Sequence, residues 1–135
     1  MNVLLSVKPR HCQKITSGAK RYEFRRRVFA RGVAEVYLYS TSPVSRIVAK
    51  FTVEAIVEDN PKALWHSFRD FSGLAETEFF EYFDGAEKGY AIQIGNLKTL
   101  GPLDPLKVFP HFTVPQSFCY LSDTQASKIE GNLRL

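Results

Sequence analysis

The chain has 135 residues, 44% of them hydrophobic and 24% charged, with a formal net charge of +4 at neutral pH. That size and balance suit one domain around one packed core and exclude wholesale disorder. No apolar run approaches the ~20 residues that span a bilayer, and the first residues lack a signal-peptide pattern, so a cytoplasmic protein with no membrane contact is expected.

In chain order, Val3-Leu4-Leu5-Ser6-Val7 is a short, nearly continuous apolar run that reads as a buried strand. Pro9 suits the first turn of a helix running to about Ser17, and Gly18 is a natural stop for it. From Lys20 the period changes to two. Tyr22 and Phe24 fall on one face, expected to be the core side, with Arg21, Glu23 and Arg25 on the opposite, wetter one. Residues 34–40 read as a third strand and Val44 to about Val57 as a long fourth, joined by the turn-prone Ser40-Thr41-Ser42-Pro43. Asn60-Pro61 forms an N-cap and first-turn pair for a helix through about Phe71, and a second helix runs from Ala75 to about Phe83, stopped by Gly85. Trp65, Phe68, Phe79, Phe80 and Phe83 on this pair are expected in the core. Residues 90–94 read as a buried strand. Four of the seven prolines lie in residues 101–115, which suggests an extended wrap. Ser117 to Leu121 is the last strand, followed by a tail whose helix is expected to fray. These elements make an α+β domain, most economically a small, partly closed β-barrel.

The modest total charge hides a polarity. Residues 1–31 hold nine of the 18 Lys and Arg and one of the 14 Asp and Glu, a net of +8, while the other 104 residues carry −4. Six cations between Lys20 and Arg31 surround the lone carboxylate Glu23. A polyanion such as nucleic acid is the first partner such asymmetry suggests. Cys12 and Cys119 fit neither a disulfide framework nor zinc spacing and are expected as reduced, partly buried thiols. His11, His66 and His111 share no ligand spacing, so neither a metal nor another cofactor is expected.

Five ordered segments then carry a resemblance. They are Leu5-Ser6-Val7-Lys8-Pro9, the Gly18-x-Lys20-x-x-Glu23-x-Arg25 signature, Tyr39-Ser40-Thr41-Ser42-Pro43, Glu87-Lys88-Gly89-Tyr90-Ala91-Ile92 and Pro115-Gln116-Ser117-Phe118. Together they resemble the ASCH domains of the PUA-like superfamily. The resemblance implies a five- to six-stranded pseudo-barrel, with a helix after the first strand and an inserted helical pair. It would occupy residues 1–121, leaving 122–135 as a C-terminal tail. It also implies a cleft, beside the basic strand and first helix, that takes RNA or a modified nucleotide. Some such proteins are hydrolases: one branch deacylates acetylated cytidine and another cleaves RNA. The deacylating branch is similar in using a lysine, a threonine three residues later and a glutamate before the second inserted helix. Lys20 fits the first place, but Glu23 holds the second and Ser72 stands near the third, so that triad is not intact.

Within that frame Lys20 is a cation for phosphate, a base or nucleophile if desolvated, or a solvated surface lysine. Glu23 either fixes Arg25 or a neighbouring arginine, accepts from a base edge or sugar, or acts as a general base. Arg25, Arg26, Arg27 and Arg31 are suited to phosphate, although alternation sends Arg26 away from Arg25; the bland alternative is a basic face balanced by Glu76, Glu78 and Glu81. Ser40, Thr41 and Ser42 offer hydroxyls, with turn chemistry as their other explanation. Gln116, Ser117 and Lys8 complete the candidate ligand set. The expectation is an RNA-binding domain. A hydrolase acting on RNA or a modified nucleoside through Lys20 and Glu23, and a protein-interaction adaptor using the acidic helix, are the alternatives.

Overall fold

The computed structural model describes residues 1–30 and 32–133. Arg31, one of the arginines read as suited to phosphate, lies outside them. In chain order the elements are β1 (Asn2–Val7), α1 (Pro9–Thr16), β2 (Tyr22–Arg25), β3 (Glu35–Ser40), β4 (Arg46–Asp59), α2 (Pro61–Phe68), α3 (Glu76–Tyr82), β5 (Gly89–Leu103), β6 (Phe118–Leu121) and α4 (Asp123–Leu133). The strands form one sheet in the order β2-β5-β4-β3-β1-β6. β1 and β3 run parallel, and every other pairing is antiparallel. Bulges along β3, β4 and β5 bend the long strands, and the sheet curls into a half-barrel whose free edges are β2 and β6. The expected α+β pseudo-barrel is the observed one.

β1 is covered on both faces, which explains its unbroken apolar run. Val3, Leu5 and Val7 pack with Cys12 and Ile15 of α1, while Leu4 joins Tyr37, Tyr39 and Ile47. Ala126 and Ile129 of α4 pack into that second cluster, so the C-terminal helix is docked rather than frayed. A third cluster of Phe24, Leu64, Phe79, Phe83 and Ala91 seats α2 and α3 on β2 and β5. Trp65, Phe68 and Phe80 lie partly buried against it.

Three local expectations are corrected. α2 stops at Phe68 instead of near Phe71, because Phe71 takes a left-handed φ of +63° and turns the chain away. β5 continues to Leu103 instead of ending near Ile94, since the 14-residue β4 offers backbone partners as far as Ile47 opposite Leu103. The register shift between Ile47 and Ala49 lets the longer stretch around Gly101 and Pro102 bulge, which accommodates a residue without an N–H. Glu23, expected on a wet face, is only 7% exposed. β2 is an edge strand, yet that face looks across the mouth of the half-barrel toward β1 and the start of β6, not into solvent.

Candidate functional site

A cleft of about 740 Å³ opens where the edge strands β2 and β6 approach the C-terminal end of β1, within the range of ligand-sized pockets. Arg25 bridges that seam. From β2 its Nη2 donates to the Ser6 carbonyl of β1 at 2.8 Å, and its Nη1 to Ser117 Oγ, just before β6, at 3.3 Å. The same guanidinium places Nε and Nη2 on Glu23 Oε2, at 3.1 and 2.8 Å, so one arginine closes the barrel and fixes the carboxylate.

Lys20 reaches this floor because α1 ends where it does. Gly18, at φ +86°, turns the chain, and the Lys20 N–H returns to the Lys14 carbonyl at 2.9 Å. The Lys20 side chain is 1% exposed; its Nζ donates to the Ser72 carbonyl at 2.6 Å and lies 3.7 Å from Glu23 Oε1. Gly73 covers the stem of Lys20. At φ +71° and with a Cβ that would fall 2.8 Å from Lys20 Cβ, no other residue fits there without displacement. Lys14 Nζ holds the Gly73 carbonyl at 2.7 Å, pinning the 72–73 turn from its other side.

Burial of the Lys20 ammonium pushes its pKa below the ordinary lysine value, and Glu23 offsets part of that. His11 is shifted down as well, first by burial and then by the Lys20 charge. Cys12 is no nucleophile: burial pushes its thiol up to about 11, and its Sγ lies 3.5 Å from the Val7 carbonyl.

Of the candidate ligand residues, the cleft brings together Lys8, Lys20, Glu23, Arg25, Thr41 and Gln116, with Ser117 attached through Arg25. Arg26 lies outside, donating from Nη1 to the Tyr82 and Asp84 carbonyls at 3.1 Å each. Ser40 is buried beside the Cys12 thiol, and Ser42 is exposed in the turn and does not line the cleft. Arg21 stacks on the Phe71 ring at 4.2 Å and does not line the cleft. The cations of the 20–31 segment therefore do not converge on one ligand. Only Lys20 and Arg25 among those described reach the cleft.

The other lining residues were not expected at the cleft from the sequence: Arg10 and Tyr82 carried no reading there, His11 was read only as no metal ligand, and Glu78 and Glu81 only as counterweights to a basic face or part of an adaptor surface. Arg10 and His11 of α1 line the cleft, as do Glu78, Glu81 and Tyr82 of α3. Arg10 forms an ion pair with Glu78, and His11 Nε2 lies 3.9 Å from the same carboxylate oxygen. The available signal was the i, i+3, i+4 spacing of 78, 81 and 82, which puts them on one helical face. The cleft is thus of mixed charge. Among the described residues no group of three His, Cys, Asp or Glu is placed to hold a metal ion, and no helix is long and apolar enough to cross a membrane.

No protein-family model matches the chain. A curated relative from Zymomonas mobilis, named an ASCH domain-containing ribonuclease, is 32% identical over 130 residues, covering 93% of this chain and 88% of that protein. The crystal structure of ASCH from Zymomonas mobilis matches with a TM-score of 0.90 at 27% identity, covering 96% of this chain and 94% of that one. A tyrosine-to-phenylalanine mutant of the same ASCH protein matches with a TM-score of 0.90 at 26% identity, covering 96% of each chain.

Proposed function

The chain belongs to the ASCH domain family, and from that premise we propose that its cleft binds RNA and cleaves it, with Lys20 as the proton acceptor. The observation that carries this reading is the Lys20 amine. It is buried and depressed in pKa, yet it sits on the floor of an open cleft among other polar side chains. A lowered pKa leaves more neutral amine at physiological pH than an ordinary lysine offers, which is what a base requires. The Ser72 carbonyl and Glu23 then stabilise the ammonium once the proton has arrived. The ribonuclease name of the 32%-identical relative supports RNA as the substrate.

RNA carries its own nucleophile in the 2′-hydroxyl. The neutral Lys20 amine takes the hydroxyl proton as the 2′-oxygen bonds to phosphorus. The bond from phosphorus to the 5′-oxygen breaks, and that oxygen takes a proton from water at the cleft mouth. A 2′,3′-cyclic phosphate and a 5′-hydroxyl result. Lys8, Thr41 and Gln116 supply donors to the phosphate from the rim, while Arg25 holds the Glu23 carboxylate and the seam in place.

A second reading, a binding module without chemistry, is favoured by how fully Arg25 and Glu23 are engaged with each other. End-labelled single-stranded RNA separates the two. Cleavage should leave cyclic phosphate ends, fall by about a hundredfold or more in Lys20→Met, as loss of a proton acceptor implies, and stop at any 2′-deoxy position while binding persists. Salt-sensitive binding with no cleavage by the wild type would leave the binding module; cleavage unaltered in Lys20→Met would remove Lys20 from the chemistry.

A further inference from the structure

The cleft lining combines two chemically unlike sets of residues. One set is cationic, Lys8, Arg10 and Arg25, and the other comes from α3, Glu78, Glu81 and Tyr82, the two sets meeting where Arg10 pairs with Glu78. A phosphodiester is attracted to the first and repelled by the second. Glu78 is already paired with Arg10, whereas the Glu81 carboxylate makes no hydrogen bond or ion pair among the described residues.

Tyr82 is an unusual neighbour for that carboxylate. It is 41% exposed, so much of its surface is uncovered, yet it is held from several directions. The Arg26 N–H donates to its hydroxyl at 3.2 Å, Arg26 Nη1 donates to its carbonyl at 3.1 Å, and its ring packs edge-on against Phe83 at 4.9 Å between centroids. This gives Arg26, which does not line the cleft, a purpose behind its lining. Val114, 54% exposed, and Pro115 also line the cleft and add apolar surface to it. A fixed aromatic with free surface, an unengaged carboxylate beside it and apolar surface nearby suit a flat, uncharged group that carries N–H donors.

We infer that the α3 set is the base subsite of this cleft: an unpaired nucleobase with an exocyclic amino group stacks on Tyr82 and donates to Glu81. The inference rests on the reading that the cleft takes RNA, and it adds which part of RNA goes where. Cytosine and adenine present an amino group to an acceptor, while uracil presents carbonyl oxygens on either side of its single N–H. A base in a duplex cannot leave its stack to reach Tyr82 without unpairing, so the substrate class is single-stranded.

The test is fluorescence anisotropy with labelled oligo-C, oligo-A and oligo-U RNA on the wild type, Tyr82→Ala, Tyr82→Phe, Glu81→Gln and Lys8→Ala, each checked for its fold by circular dichroism. The wild type should bind oligo-C and oligo-A more tightly than oligo-U. Tyr82→Ala should lose about fivefold or more on every oligomer, the lower end expected for one stacked base, and Tyr82→Phe should recover it. Glu81→Gln should narrow the gap between oligo-C and oligo-U; Lys8→Ala should weaken all three alike and keep that gap. Wild-type affinity in Tyr82→Ala, or an unchanged C-to-U ratio in Glu81→Gln, overturns the base subsite while leaving RNA binding in place. Failure of the wild type to bind any of the three overturns the underlying reading, and the subsite with it.

Discussion

Two lysine–glutamate pairs sit in different parts of the half-barrel, and they differ in every respect that matters. Lys50 Nζ meets Glu130 Oε1 at 2.6 Å, and the Tyr37 hydroxyl donates to the same oxygen at 2.8 Å. That trio ties α4 to β3 and β4. Burial together with this carboxylate pushes the Tyr37 pKa well up, so the phenol stays a donor. Lys20 and Glu23 stand 3.7 Å apart, the lysine far more deeply buried, its amine resting on a carbonyl and its partner committed to Arg25. The tight pair is matched to its environment and acts as a structural tie. The loose pair leaves a buried charge under-compensated, and burial accordingly holds the Lys20 pKa below the ordinary lysine value. Proteins retain such arrangements where chemistry needs them.

The contrast is sharpest when each lysine is replaced by an apolar residue of similar length. Lys20→Met should remove the RNA cleavage proposed above and yet leave the melting temperature unchanged or raised, because an unfavourable buried charge goes with it. Lys50→Met should do the reverse, costing about 1 kcal/mol of stability, as expected for a partly buried ion pair, with cleavage intact. Urea unfolding and an RNA turnover assay on both variants decide the matter. A large stability loss in Lys20→Met would make that pair a structural tie as well. A smaller effect on cleavage than that of Lys20→Met is expected at Gly73. Alanine there adds strain at positive φ, about 1–2 kcal/mol, and presses on the Lys20 stem. Cleavage should fall by more than that stability loss explains, because Lys20 is displaced; equal falls would leave Gly73 only a structural role.

The sheet was legible because each strand carries its own signal: the unbroken apolar run of β1, the alternation of β2, and the Asn60-Pro61 pair whose side-chain oxygen does cap α2 at the Ala63 N–H. The reach of β5 was not, since Gly101 and Pro102 argue locally against a strand and only the length of β4 overrides them. At the site, Lys20, Glu23 and Arg25 could be read as a group through the resemblance, whose signature holds all three, while alternation alone places only Glu23 with Arg25. That Arg26 and Arg21 leave it depends on carbonyls and a ring contributed by residues 71–84, which no local pattern announces. Glu78, Glu81 and Tyr82 were hidden for the same reason. From sequence their helix reads as an acidic counterweight or an adaptor surface, and only tertiary packing brings one face of it to the cleft.

Lys20 also gives the comparison a pH dependence. Its folded-state pKa lies below the unfolded value near 10.5, so the unfolded chain holds more protons between the two. Stability from this group therefore rises with pH across that window. The wild type should gain on Lys20→Met as pH moves from neutrality toward the ordinary lysine value. Parallel urea midpoints for the two proteins across that range would contradict a depressed Lys20.

The smallest effect belongs to His11, whose Nδ1 has no hydrogen-bond partner among the described residues. Burial and the Lys20 and Arg10 charges lower its pKa from 6.5, and Glu23 and Glu78 oppose them without prevailing. The folded state therefore favours the neutral ring. Its contribution is fully present above the unfolded value and is lost as pH falls through the folded one. His11→Gln keeps a polar side chain there but cannot titrate. Between pH 7 and pH 5 the wild type should lose more stability than the variant, with carboxylates elsewhere titrating alike in both. A smaller loss in the wild type would mean that the imidazole is protonated in the cleft, held by Glu78 as an ion pair in the manner of Arg10, and identical losses would mean that the fold does not shift it at all. Either outcome would change the charge that α1 brings to the cleft, and with it the division of the lining between cations for phosphate and α3 residues for bases.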